Sequence, residues 1–158
     1  MQKDHYILIT LWIIGTLVFI AFVWRKDLRK GILTMMIFQT FIWLFNMFLY
    51  QYGFESAPVR ELPKAHEFPL TIDYFFHPLL FSLFYLYKRL KIVYLLVWVT
   101  VATAFDVIIE KYTDLLQFGK MTWYLDWLYL VGIYVIALIC CNLFYKNNSL
   151  PQESWKSP

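Results

Sequence analysis

From residue 6 to residue 24, and again from 31 to 54, the chain carries no Lys, Arg, Asp or Glu, while Arg25, Lys26, Asp27, Arg29 and Lys30 crowd the interval between. A bilayer core is about 30 Å thick, and about 20 helical residues at 1.5 Å each cross it. The two runs therefore predict a helical hairpin with a very short turn. Three further apolar stretches, about 68–87, 92–109 and 121–145, each carry one carboxylate, Asp73, Asp106 and Asp126. A central Asp costs about 2.5–3.5 kcal/mol on insertion, and each Leu, Ile, Phe or Val returns a few tenths, so these stretches read as spans with polar ends. The expected fold is an all-α polytopic membrane bundle of five transmembrane helices over residues 1–145, with a polar tail at 146–158.

Composition agrees. Hydrophobic residues make up 61% of the 158, against about 45–50% in soluble domains. The 22% of aromatic residues argues against disorder, and two cysteines are too few for a disulfide scaffold. A net charge of +3, with half of the 14 basic residues in two short clusters, fits topogenic signals better than a nucleic-acid surface.

Those clusters orient the chain. The turn at 25–30 has four basic residues and one acid, the turn at 88–91 holds Lys88, Arg89 and Lys91, and the tail adds Lys146 and Lys156 against Glu153. On the other side, Arg60 and Lys64 face Glu55, Glu61 and Glu67, and Lys111 and Lys120 offset Glu110 and Asp114. The positive-inside rule then puts the N-terminus outside and the C-terminus inside. The first run has neither a basic leader nor a small-residue cleavage site after it, so it reads as a retained helix. Tyr and Trp at span ends, such as Tyr6, Trp24, Tyr87 and Trp123, read as interfacial anchors.

In this topology Asp73, Asp106, Glu110 and Asp126 all fall at the outer ends of their helices. Asp73 and His77 are four apart, as are Asp106 and Glu110, so each pair shares a helix face. Pro78 has no N–H for the carbonyl of Tyr74 and disfavours helical geometry at His77, which predicts a kink, and irregular backbone at membrane depth usually lines a cavity. One reading is an outward-facing polar pocket, with Asp126 nearby, in which His77, Asp73, Asp106 and Glu110 hold a divalent cation such as zinc or manganese, or relay protons. The simpler reading has Arg60, Lys64 or Lys111 neutralise the acids, the first two folded over the helix ends as a lid held by Pro58 and Pro63. Gln39 and Asn46 share a face and are expected to bond between helices, and Cys140 and Cys141 read as small apolar packers. The basic turns suit anionic lipid headgroups, but orienting the helices already requires them. No catalytic-triad, phosphate-loop or Cys/His zinc spacing is present.

The segments Pro58-Val59-Arg60-Glu61-Leu62-Pro63-Lys64, Asp73-Tyr74 with Pro78, and Glu110-Lys111-Tyr112-Thr113 with Trp123 resemble a family of small, uncharacterised multi-spanning membrane proteins of spore-forming Gram-positive bacteria. The similarity spans about residues 55–145. It implies a bacterial plasma-membrane protein of four or five helices and supplies no activity or catalytic residues; His77 stands outside its pattern. The leading expectation is a structural or interaction module, homo-oligomeric or part of a larger membrane complex, among membrane lipids. Aromatic-rich helices with five glycines enclose little room for transport. The alternatives are a cation-binding protein or membrane enzyme using the Asp/His/Glu pocket, and a binder of lipid or a small apolar ligand.

Overall fold

The computed structural model describes residues 2–58, 71–87 and 92–147. The chain opens with α1, Gln2–Val18, which passes through a π-helical turn at Phe19–Trp24 into α2, Arg25–Gln51. Asp27 interrupts this run with extended backbone, φ −166° and ψ 93°. Its carboxylate accepts the Lys30 N–H at 2.9 Å, an N-cap that satisfies one of the donors left open at a helix start. The turn expected at 25–30 thus narrows to one residue.

Across it the two helices run antiparallel, with Thr16 and Phe19 lining the same groove as Met36 and Gln39. Gly31 lets them close, because a Cβ there would strike the Val23 side chain.

The far end of α2 places a site residue. Phe54 N–H bonds to Leu49 C=O at 2.9 Å and Gly53 N–H to Tyr50 C=O at 3.1 Å, the paired bonds of a glycine-terminated helix. Gly53 takes φ +68°, which a Cβ would penalise. The chain then enters β1, Glu55–Ser56, paired antiparallel with β2, Gln117–Phe118. This short ribbon is an addition to the expected all-α architecture.

A second π-helical turn, Thr71–Phe76, leads into α3, His77–Tyr87. It lies directly ahead of Pro78, where the missing N–H and the ring's clash with the preceding turn favour a locally widened helix. The irregularity expected there takes this form.

α4, Ile92–Tyr112, and α5, Trp123–Asn147, complete the bundle. α3 is its centre, with residues 71–73, 77–79, 81, 82, 84 and 85 all buried. The rings of Phe38 and Phe81 stack at 4.7 Å, and Tyr134 meets both edge-on at 5.0 and 5.2 Å. Cys141 packs into this core.

Polar bonds also tie the helices together. Ser82 Oγ donates to the Gly31 carbonyl at 3.1 Å, Trp98 Nε1 to the Leu80 carbonyl at 2.9 Å, and Tyr129 Oη to Asn46. The last meets the expectation for Asn46.

The outer surface is apolar, with Ile9, Leu17, Ile92, Ile108 and Leu128 all more than half exposed. Three stretches, Tyr6–Gln51, Ile92–Tyr112 and Trp123–Tyr145, are long and apolar enough to cross a membrane.

Candidate functional site

Where the end of α2, the start of α3, the last turns of α4 and the first turn of α5 meet, polar side chains gather around one small cavity. Asp73 comes from the π-helical turn, His77 opens α3, Asp106 lies on α4 and Asp126 on α5, while Asn46 and Tyr129 line the remaining wall. Glu55 enters from the ribbon. Successive strand residues point to opposite sides, so Ser56 faces out while Glu55 faces in. All five titratable residues are less than a tenth exposed, from 2% at Asp106 to 7% at Glu55.

His77 Nε2 lies 3.1 Å from Asp106 Oδ1, tying α3 to α4. Among the described residues, His77 Nδ1 and Asp126 Oδ2 meet no hydrogen-bond partner, although a buried polar atom without one costs about 1–3 kcal/mol. Both residues line the cavity, whose volume of about 10 Å³ is the room one water occupies.

Glu55 lies outside the apolar helices, and its carboxyl is raised well above the ordinary glutamate range. Burial is the main cause, followed by Asp73, Asp126 and Asp106. The centre therefore favours a Glu55 carboxyl that keeps its proton.

Four of the expected pocket residues converge: Asp73, His77, Asp106 and Asp126. Glu110 does not. A step of four residues carries it about 6 Å along the helix, and Ile109 beside it packs against Leu115 and Leu116, which cover the centre. Glu110 lines a separate open depression with Asp4, Lys111 and Asp114. Lys111 lies with its ammonium 5.8 Å from the ring centre of Tyr112. The lid residues Arg60 and Lys64 fall outside the described residues.

Leu116 forms part of the cavity wall, and Leu115 is fully buried. Among the described residues no three His, Cys, Asp or Glu side chains are arranged to hold a metal ion. The proposed ligand set His77, Asp73, Asp106 and Glu110 is therefore not assembled.

No family model, curated protein or solved structure matches the chain. What the centre can do follows from its chemistry. An imidazole in contact with a carboxylate, with further acids around a small cavity, is an arrangement able to store protons and pass them over short distances.

Proposed function

We propose that this is a small integral protein of the bacterial plasma membrane, an interaction module whose helix packing is set by the protons held in its buried acid–imidazole centre. The observation that carries the reading is the His77–Asp106 contact of 3.1 Å between α3 and α4, at a small cavity also lined by Glu55, Asp73 and Asp126. Among the described residues, no cationic side chain pairs with Glu55 or Asp126. Bound protons are then the means of keeping these buried acids from carrying uncompensated charge. Because the centre joins α2, α3, α4, α5 and the ribbon, a change in its proton content alters how all of them pack.

The chain crosses the membrane five times, with its N-terminus outside and its C-terminus inside. The one-residue turn at Asp27 supports counting α1 and α2 as separate spans, and the basic residues at 25–30 and 88–91 support the orientation. The family resemblance over residues 55–145 supports the bacterial plasma membrane. As an interaction module the protein works as a homo-oligomer or within a larger membrane complex.

Infrared difference spectroscopy of the reconstituted full chain tests the proposal. The wild type should show a protonated-carboxyl C=O stretch at neutral pH that weakens in Glu55→Gln and again in Glu55→Gln, Asp126→Asn. Complete ionisation at neutral pH, or stoichiometric metal that a chelator removes together with stability, would overturn it.

A further inference from the structure

At the end of the bundle away from the acid centre, the start of α2 and the end of α5 enclose an open groove of about 700 Å³. Lys30 in its wall and Asn46 at the centre are 16 residues apart on α2, about 24 Å of helix rise. The groove has two unlike parts. Arg29 and Lys30 form one, beside Asp27, whose carboxylate already accepts the Lys30 N–H. Two cations against one carboxylate leave this part net positive.

Ile32, Leu33, Met36 and Phe144 form the other part, and Ile32, Met36 and Phe144 are 43%, 58% and 44% exposed. The lysine is held in place. Its ammonium lies 4.9 Å from the ring centre of Tyr145 and 5.4 Å from that of Tyr85, and the Tyr145 hydroxyl reaches the Lys30 carbonyl at 3.5 Å. Arg29 is exposed, leaving its planar fork of donors available for two parallel bonds to phosphate oxygens.

We infer that this groove is a binding site for an anionic phospholipid, with the phosphodiester on Arg29 and Lys30 and one acyl chain along Ile32, Leu33 and Met36. A soluble anion would answer only the cationic part, and an uncharged apolar molecule would leave the guanidinium unanswered. A ligand with an anionic head and an apolar tail satisfies both parts. The inference rests on the chain being embedded in a membrane and is independent of the proton-binding centre. It also separates Arg29 from Arg25, which stands in the same basic turn but does not line the groove.

The test uses the detergent-purified full chain, titrated with dioleoylphosphatidylglycerol, dioleoylphosphatidylcholine or inorganic phosphate while binding is followed by native mass spectrometry and thermal melting. The phosphatidylglycerol should bind about tenfold more tightly than the phosphatidylcholine, the scale of one charge-assisted contact, and phosphate alone should not shift the melt. Arg29→Gln should bring the two lipids to within about twofold of each other, while Arg25→Gln keeps the preference. Equal binding of the two lipids, an equal loss in both variants, or a shift produced by phosphate alone would overturn the site. A chain that partitions into bilayers yet shows no lipid preference would refute the groove and leave the membrane reading standing.

Discussion

Glu55 sits where no acid is comfortable, buried at 7% exposure and facing Asp73, Asp106 and Asp126, and this gives the protein a measurable pH response. Its folded-state pKa is raised above the ordinary value of 4.5, so the folded chain keeps a proton that the unfolded chain releases. Stability is then unaffected below about pH 4.5 and falls as pH rises from there toward the raised value, by up to about 1.4 kcal/mol per pH unit. Glu55→Gln should remove this contribution and flatten the pH dependence of unfolding in mixed detergent; an unchanged slope would contradict it. The His77–Asp106 contact makes a second prediction. Removing either partner alone, by His77→Ala or Asp106→Ala, should cost about 1–3 kcal/mol because a buried polar group loses its complement. The double variant should cost less than the sum by about 0.5–3 kcal/mol, and strict additivity would mean the two side chains are not coupled. Asp73, His77, Asp106 and Asp126 were legible in the sequence because ionisable groups inside apolar runs are rare and their spacing assigns them to faces. Glu55 was not, since it looks like one more charge in a polar loop. Its burial depends on pairing with Gln117–Phe118, some sixty residues on, and only the helix-ending Gly53 hints at it locally. Glu110 misled for the opposite reason: four-residue spacing fixes a helix face but not how far the covering layer of Leu115 and Leu116 extends.

At the scale of elements, the charge cluster at 25–30 marked where the first helical run is interrupted: the helices expected at about 6–24 and 31–52 form one run, Gln2–Gln51, broken at Asp27. The mechanism of the turn was hidden, because Asp27 among four basic residues reads as charge balance until its carboxylate is seen on the Lys30 N–H. That role is separable by mutation. Asp27→Ala should destabilise the hairpin by about 1 kcal/mol, while Asp27→Asn, which keeps an accepting oxygen, should stay within a few tenths of the wild type. Thermal melting in detergent distinguishes the two, and equal losses would assign the effect to charge instead of capping. The turn at Thr71–Phe76 shows a similar division. Pro78 announces a disturbed helix, but the choice of a π-helical widening depends on the surroundings of Thr71, Ile72 and Asp73, all of them buried. That widening turns Asp73 toward the cavity, so a sequence rule for a kink becomes a device that positions a carboxylate.

For the whole molecule the two ends of the bundle differ in kind. One gathers buried carboxylates under the ribbon, and the other carries Arg25, Lys26, Arg29 and Lys30 around an open groove. The proposed orientation rests on this polarity, because basic residues near helix ends are retained on the cytoplasmic side whereas acids contribute little to orientation. In the proposed five-span topology the N-terminus lies on the side opposite the basic turn, and each later helix reverses direction once more. An alkaline phosphatase fusion following Tyr145 should therefore be inactive and a green fluorescent protein fusion there bright, while a tag ahead of Tyr6 should be labelled by impermeant reagents on intact cells. Exchanging Arg25, Lys26, Arg29 and Lys30 for Gln should weaken that bias and produce a mixed population. If the fusion following Tyr145 reports the outer side in the wild type, the carboxylate centre belongs to the cytoplasmic leaflet, and the protons it binds come from the cell interior instead of the surroundings.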